Sequence, residues 1–283
     1  MASSKPFDMH LPPAGRDIPL VLDSPHSGTD YPADFGYACD FALIRKSEDT
    51  HVDALFAHAP SLGAPLLAAR FPRAYIDPNR SPLDIDPELI DGVWPGQIVP
   101  GEKTKLGLGL IWRKIKAGTP VYARKLTVDE VWKRIDECYL PYHAELQRLT
   151  DRAYARWGRV YHINCHSMPA VGDRETSADG ESVRPDFAIG DRDGTTCDPA
   201  YTKFTVDFLL AKGYDARAND PYKGVELVRR HGRPAEKRHA IQIEVNRRLY
   251  MDEETRERNA EFAKTKAVLD AYLDALAGWI AKR

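Results

Sequence analysis

Short apolar runs alternating with helical stretches predict an α/β fold in which a mostly parallel mixed sheet carries helices on both faces. Three observations support this. Apolar segments such as Leu20–Ser24, Val160–Cys165 and Ala240–Val245 have strand length, apolar residues recur at spacings of three and four between them, and no fixed-period repeat suggests another architecture. No Gly/Ser linker marks a boundary. The 283 residues, 43% of them hydrophobic, can fill a core, so one domain over 1–283 is expected.

Leu20–Ser24 ends at Pro25 and Gly28, as a buried strand opening into a loop does. A helix is expected next, with Ser47 as N-cap, Glu48 and Asp49 at its positive end, and Val52, Leu55, Phe56 and Ala59 on its apolar face. Leu66–Arg70 and Ala74–Asp77 read as strands separated by a turn at Pro72. The following forty-odd residues, rich in Pro, Gly and Asp, are expected to be mostly loop. Thr127-Val128-Asp129-Glu130 is a capping box. It opens a helix with the stripe Val131, Ile135, Tyr139, Tyr142, Leu146 and Leu149, bent near Pro141. Gly172 to Pro185 reads as a loop and Thr202–Leu210 as a helix. A C-terminal helix is expected from near Asp252, burying Phe262, Leu269, Tyr272, Leu273, Leu276 and Ile280.

Composition excludes several classes. Forty Lys+Arg against forty-two Asp+Glu give a formal charge of −2, so there is no global field to hold nucleic acid or an anionic membrane. The longest apolar runs, such as Gly63–Ala69, fall far short of the roughly 20 residues that span a bilayer. Met1 to Pro13 shows no export signal, which makes a cytoplasmic location the expectation. Cys39, Cys138, Cys165 and Cys197 form no C-x-x-C pair and are expected to be free thiols. Oligomeric state is not legible.

The chemistry gathers at strand ends. His26 lies just past the first strand. On 160–168 a period of two puts His162, Asn164 and His166 on one face and Tyr161, Ile163 and Cys165 on the other. Gln242, Glu244 and Asn246 alternate in the same way with Ile241, Ile243 and Val245. A parallel strand covered on both sides should be apolar on both faces, so a repeated polar face implies an opening to a site. One histidine at a strand end is more often structural. Two imidazoles and a carboxylate, however, compose a catalytic zinc shell with one position left open. Asp49, Glu48 and Asp30 all compete for the carboxylate role, and helix-dipole complementation alone would explain Glu48 or Asp49. The Asp84-Ile85-Asp86 and Asp191–Gly194 segments lack the rest of a calcium-loop pattern. Cys165 points away from His166. His51 and His231 read as structural more readily than as a hydrogen-bonding support for a ligand and a proton shuttle.

The ordered blocks Ser24-Pro25-His26-Ser27-Gly28, Glu48-Asp49-Thr50-His51-Val52-Asp53, Ile76-Asp77-Pro78-Asn79-Arg80, His166-Ser167-Met168, Asp220-Pro221-Tyr222-Lys223-Gly224 and Gln242–Arg247 resemble the N-formylglutamate amidohydrolases, the formylglutamate deformylases of bacterial histidine degradation. The resemblance runs from about Pro19 to Asp252. That family looks related to the zinc carboxypeptidases and aspartoacylases, which implies a zinc-carboxypeptidase-like fold and one zinc ion. Carried over residue by residue, it implies His26 and His166 as metal ligands, Asn79 and Arg80 as substrate-binding residues, and Glu244 as catalytic base. The carboxypeptidases place a zinc-binding Glu three residues after the first His. Thr29 stands there in this chain, so the carboxylate must come from elsewhere, and Asp49 is the choice.

The expected activity is hydrolysis of N-formyl-L-glutamate to formate and glutamate, with Arg80 stabilising the oxyanion or clamping a substrate carboxylate. Two substrate carboxylates call for a further cation, for which Arg113, Lys223 and Arg247 are candidates; a surface ion pair is the plainer reading of each. Competing readings are a metallohydrolase for another N-acyl amino acid or small peptide, a non-haem iron oxygenase, and a silent carboxylate-binding module.

Overall fold

The computed structural model describes residues 5–115, 118–172 and 181–283. Its strands are β1 (Phe7–His10), β2 (Leu20–Ser24), β3 (Leu66–Ala69), β4 (Ile90–Asp91), β5 (Leu126–Thr127), β6 (Val160–Met168), β7 (Phe187–Gly190), β8 (Ala216–Ala218) and β9 (Arg238–Asn246). The main sheet runs β1-β3-β2-β6-β9-β7-β8, and β4 pairs with β5 apart from it. Strands β3, β2, β6 and β9 are mutually parallel, and β8 is parallel to β7. Strand β1 joins antiparallel to β3, and β7 antiparallel to β9. This is the mostly parallel mixed sheet the sequence predicts.

Helices are α1 (Phe41–Arg45), α2 (Val52–Leu55), α3 (Ala59–Leu62), α4 (Glu102–Lys105), α5 (Val128–Arg134), α6 (Leu140–Trp157), α7 (Pro199–Ala211), α8 (Glu226–His231) and α9 (Phe262–Ala281). One core packs Leu20, Leu22, Ile163, Cys165, Ile241 and Ile243 against apolar side chains of α2, α7 and α9. On the opposite face, Tyr142, Leu146 and Leu149 of α6 bury with Val21 and Val160 in a second core. Helices therefore cover both faces. The alternation along β6 is what divides it: Tyr161, Ile163 and Cys165 enter the first core, while the polar set faces the other side.

The Thr127 capping box forms as expected, its hydroxyl accepting from the Glu130 amide and Glu130 accepting from the Thr127 amide. Near Pro141 the helix passes through a π-helical turn over Ile135–Tyr139 and continues directly as α6, so the regular hydrogen-bond ladder is already interrupted just ahead of the residue that lacks an N–H. All four cysteines are free.

Three expectations need correction. Residues 47–59 do not form one helix. The Ser47 hydroxyl donates to the Ile44 carbonyl instead of capping, Glu48 and Asp49 are buried, and His51 adopts a left-handed φ of 69° before α2 starts. Residues 74–77 are not a strand, because the Tyr75 amide closes a turn on the Pro72 carbonyl and the Asp77 amide reaches the Leu110 carbonyl. The C-terminal helix starts at Phe262, since the Asp252 carboxylate accepts from the Glu254 and Thr255 amides and holds that stretch in a turn. The loop expected over 172–185 falls mainly on 173–180, outside the described residues.

Candidate active site

Strand register builds the site in rows. Asp23 of β2, Asn164 of β6 and Gln242 of β9 lie side by side, and one step further along the strands His166 stands beside Glu244. His26 follows β2 in the turn closed by Gly28, where any Cβ would collide with the Phe71 carbonyl oxygen, so that position is reserved for glycine. The Asp49 amide donates to the His26 carbonyl at 2.9 Å, which brings the carboxylate of the α1–α2 connection to the strand ends.

His26, Asp49 and His166 converge there, all buried, with one potential ligand atom from each within 4.8 Å of the others. Asp49 Oδ2 lies 3.4 Å from His26 Nδ1 and 3.1 Å from His166 Nδ1, while Arg247 donates to Asp49 Oδ1 at 2.8 Å. Burial by itself would raise the Asp49 pKa. The adjoining His166 and His26 and the charge of Arg247 outweigh this and hold it well below the usual carboxylate range. The other ring nitrogen of His26 meets Asp77 Oδ1 at 2.7 Å. A carboxylate accepts, so His26 Nε2 carries the proton and Nδ1 presents a lone pair. That Nδ1 is buried without a hydrogen-bond partner, facing an anionic oxygen, an arrangement that calls for a cation. The group can hold a metal ion, and its donor set of two imidazoles and one carboxylate suits one with an open coordination position.

The rival carboxylates are engaged elsewhere. Glu48 is buried among Tyr31, Arg45 and Thr50, at 2.6, 3.1 and 2.8 Å, and Asp30 sits at the surface on Arg70.

Glu244 Oε1 accepts from Gln242 Nε2 at 2.7 Å, and its other oxygen makes no hydrogen bond among the described residues. Burial raises its pKa, with the Asp49 charge adding to the effect and the neighbouring His166 opposing it. Asn79 accepts from the Leu227 amide at 2.9 Å, which turns its NH2 toward His166 Nε2 (3.1 Å) and Gln242 Oε1 (3.4 Å). Arg80 is buried, with Nε on the Leu108 carbonyl and one Nη on the Asn79 carbonyl; among the described residues it has no carboxylate partner. Desolvation lowers its pKa, Asp77 opposes this, and the group stays charged.

The three further cation candidates are placed differently. Arg113 is committed to Asp86 and Glu88 at 2.6 and 2.9 Å. Lys223 is 59% exposed and paired with Asp193. Arg247 is in the cluster but braces Asp49 and Ser167. Sequence reasoning missed Arg73 and assigned no role to Asp77. Arg73 grips Asp77 Oδ2 at 2.8 Å, lies over the Trp112 ring, and its charge reaches both Glu244 and Arg80. Their i, i+4 spacing ahead of the Asn79-Arg80 pair was the available signal.

A buried cluster able to hold a metal, with a carboxylate beside it and a buried guanidinium that has no carboxylate partner among the described residues, equips the protein for hydrolysis of an amide. The chain belongs to the N-formylglutamate amidohydrolase family, whose model matches residues 18–251. It is 28% identical over 279 residues to the N-formylglutamate deformylase of Pseudomonas aeruginosa, covering 93% of this chain and 94% of that one. It is 30% identical over 282 residues to the N-formylglutamate deformylase of Pseudomonas putida, covering 94% and 95% respectively. The crystal structure of N-formylglutamate amidohydrolase from Ralstonia eutropha superposes with a TM-score of 0.92 at 49% identity, over 99% of both chains. A gene product of Agrobacterium tumefaciens shares the fold alone, with a TM-score of 0.69 at 17% identity. No helix among the described residues is long and apolar enough to cross a membrane.

Proposed function

We propose that the protein is a zinc-dependent hydrolase that cleaves N-formyl-L-glutamate to formate and L-glutamate, as a step of histidine degradation in the cytoplasm. The observation that carries the reading is the convergence of His26 Nδ1, His166 Nδ1 and Asp49 Oδ2 beside Glu244. Family membership supplies the substrate class and sets aside the oxygenase and the silent binding module.

A zinc ion held by His26, Asp49 and His166 would acidify a water and polarise the amide carbonyl. Glu244 takes the proton of the attacking water and returns it to the leaving nitrogen. Its raised pKa brings its two protonation states closer together near neutral pH, as that exchange requires. Gln242 holds one Glu244 oxygen so that the other faces the reaction. Arg80, with no carboxylate partner among the described residues, clamps a substrate carboxylate, and Asn79 contributes its amide. Arg73 and Arg247 add positive potential from positions already tied to Asp77 and Asp49. Arg113 and Lys223 take part only if substrate displaces their present partners.

Release of the free amino acid from N-formyl-L-glutamate, N-acetyl-L-glutamate and N-formyl-L-leucine tests this before chelation, after chelation and after zinc is restored. Turnover confined to the first compound, abolished by the chelator and recovered with zinc, supports the proposal. Turnover indifferent to thorough metal removal refutes the zinc assignment, and a preference for the leucine compound refutes the substrate.

A further inference from the structure

A buried carboxylate away from the reacting groups fixes which nitrogen of His166 faces the metal position. We infer that Asp23 is a positioning residue: through Asn164 it sets the proton of His166 on Nε2 and leaves Nδ1 free to ligate. The inference rests on the zinc reading above.

Asp23 is fully buried. Tyr142 donates to its Oδ2 at 2.7 Å. At Oδ1 it meets His162 Nε2 at 2.7 Å and Asn164 Nδ2 at 3.0 Å. Burial would raise its pKa, but these partners, His162 foremost, hold it low, and an ionised carboxylate only accepts. Asn164 must therefore turn its NH2 toward Asp23, because the flipped amide would set a carbonyl oxygen against a carboxylate oxygen. Its carbonyl is then committed to the other side, where Oδ1 lies 2.7 Å from His166 Nε2. An oxygen with no hydrogen at that distance needs a donor, so Nε2 carries the proton.

One neighbour pulls the other way. Asn79 Nδ2 lies 3.1 Å from the same nitrogen and would favour a bare Nε2. Its hydrogens have other acceptors, Asn164 Oδ1 and Gln242 Oε1, each at 3.4 Å, whereas a bare Nε2 would leave two lone pairs facing at 2.7 Å. The Asn164 contact decides. His166 Nδ1 then presents its lone pair toward Asp49 Oδ2 at 3.1 Å, as His26 Nδ1 does at 3.4 Å on the other side, and in both pairs it is the metal ion of the zinc reading, in place of a proton, that reconciles lone pair and carboxylate. His26 receives its orientation from Asp77 directly, and His166 receives it from Asp23 through one amide.

Asp23→Asn removes the constraint, because the new side-chain amide can offer its own NH2 to Asn164 and let that group turn over. Asn164→Ala removes the relay and leaves Asn79 as the polar neighbour of Nε2. Tyr142→Phe is the control, since it deletes a hydrogen bond to Asp23 without touching Asn164. Zinc affinity is measured by competition with a chromophoric chelator, and the Nε2 proton of His166 is followed by NMR at saturating zinc. Asp23→Asn and Asn164→Ala should each weaken zinc roughly 10- to 100-fold and shift the Nε2 proton toward the position of a ring N–H without an acceptor. Tyr142→Phe should bind within about twofold of the parent and leave that proton in place. Should Asp23→Asn fail to fold, Asn164→Ala decides. Unchanged affinity and an unchanged proton in the folded variants would overturn the inference, as would a loss in Tyr142→Phe equal to that in Asp23→Asn. A parent protein that takes up no zinc at all overturns the zinc reading and this inference together, and is told apart by failing before any substitution is made.

Discussion

His143 offers a pH-dependent test of what holds the Asn79-Arg80 segment in place. It sits in α6, buried, with Nε2 2.9 Å from the Pro78 carbonyl and Nδ1 3.3 Å from an Arg230 Nη. A ring that donates from Nε2 and accepts at Nδ1 is neutral. Burial, with the Arg230 charge adding to it, lowers the pKa from 6.5 to about 4. Well above pH 6.5 neither folded nor unfolded ring binds a proton, so His143 contributes no slope there. As pH falls from 6.5 toward 4 the unfolded chain takes up the proton first, and stability is lost; below about 4 both states carry it and the loss is complete. With these two values the loss between about pH 7.5 and 4.5 is about 2.5 kcal/mol. His143→Gln keeps a donor for Pro78 but has nothing to titrate. Urea unfolding of both proteins at half-unit steps of pH, with a chelator present to remove any metal contribution, isolates the effect in their difference. The variant should gain about 2.5 kcal/mol relative to the parent across that range. A difference that stays flat to within about 0.5 kcal/mol, or moves in the parent's favour, would refute the assignment of a neutral, buried His143.

Arg80→Lys should raise KM for N-formylglutamate or lower kcat at least about tenfold while zinc content stays constant, because a point charge cannot reproduce the guanidinium fork; unchanged kinetics would return Arg80 to a structural role. Asp49→Asn should lose zinc, whereas Glu48→Gln should keep it and lose thermal stability through its contacts with Tyr31, Arg45 and Thr50; the reverse order of zinc loss would reassign the third ligand. Asp77→Asn should weaken zinc by roughly 10- to 100-fold, since it supports the His26 tautomer; parent-like affinity in a chelator competition would count against that support.

Much of the fold could be read because buried parallel strands and amphipathic helices leave strong patterns. Strands β2, β6 and β9 stand out as apolar runs, and the polar alternation on β6 and β9 pointed to the face that holds His166 and Glu244. Local patterns failed where tertiary contacts overruled them. Glu48 and Asp49 look like residues at the start of a helix, yet the chain reverses through a left-handed His51 and buries both carboxylates against Arg45, Arg247 and the two histidines. Nothing in the local pattern of 74–77 announces a loop; its backbone is taken up by Leu110 and by Arg134, which donates to the Tyr75 carbonyl. Strands β7 and β8 and helix α8 are too short to show a period. The polar support of the site, Asp23, Arg73 and Asp77, is dispersed in sequence: Asp23 meets Asn164 across strand register, Arg73 meets Asp77 within an irregular turn, and Asp77 meets His26 from 51 residues away.

Whether a metal-holding cluster and a separate carboxylate base divide the work is decided by Glu244→Gln, measured for zinc content and for kcat on N-formyl-L-glutamate in the same preparation. The substitution keeps the volume and removes the proton acceptor. One zinc per chain is expected, as in the parent, with kcat reduced by roughly 10²–10⁴-fold. Near-normal turnover with zinc retained would contradict Glu244 as the base, and loss of zinc would make it a ligand and displace Asp49 from the shell.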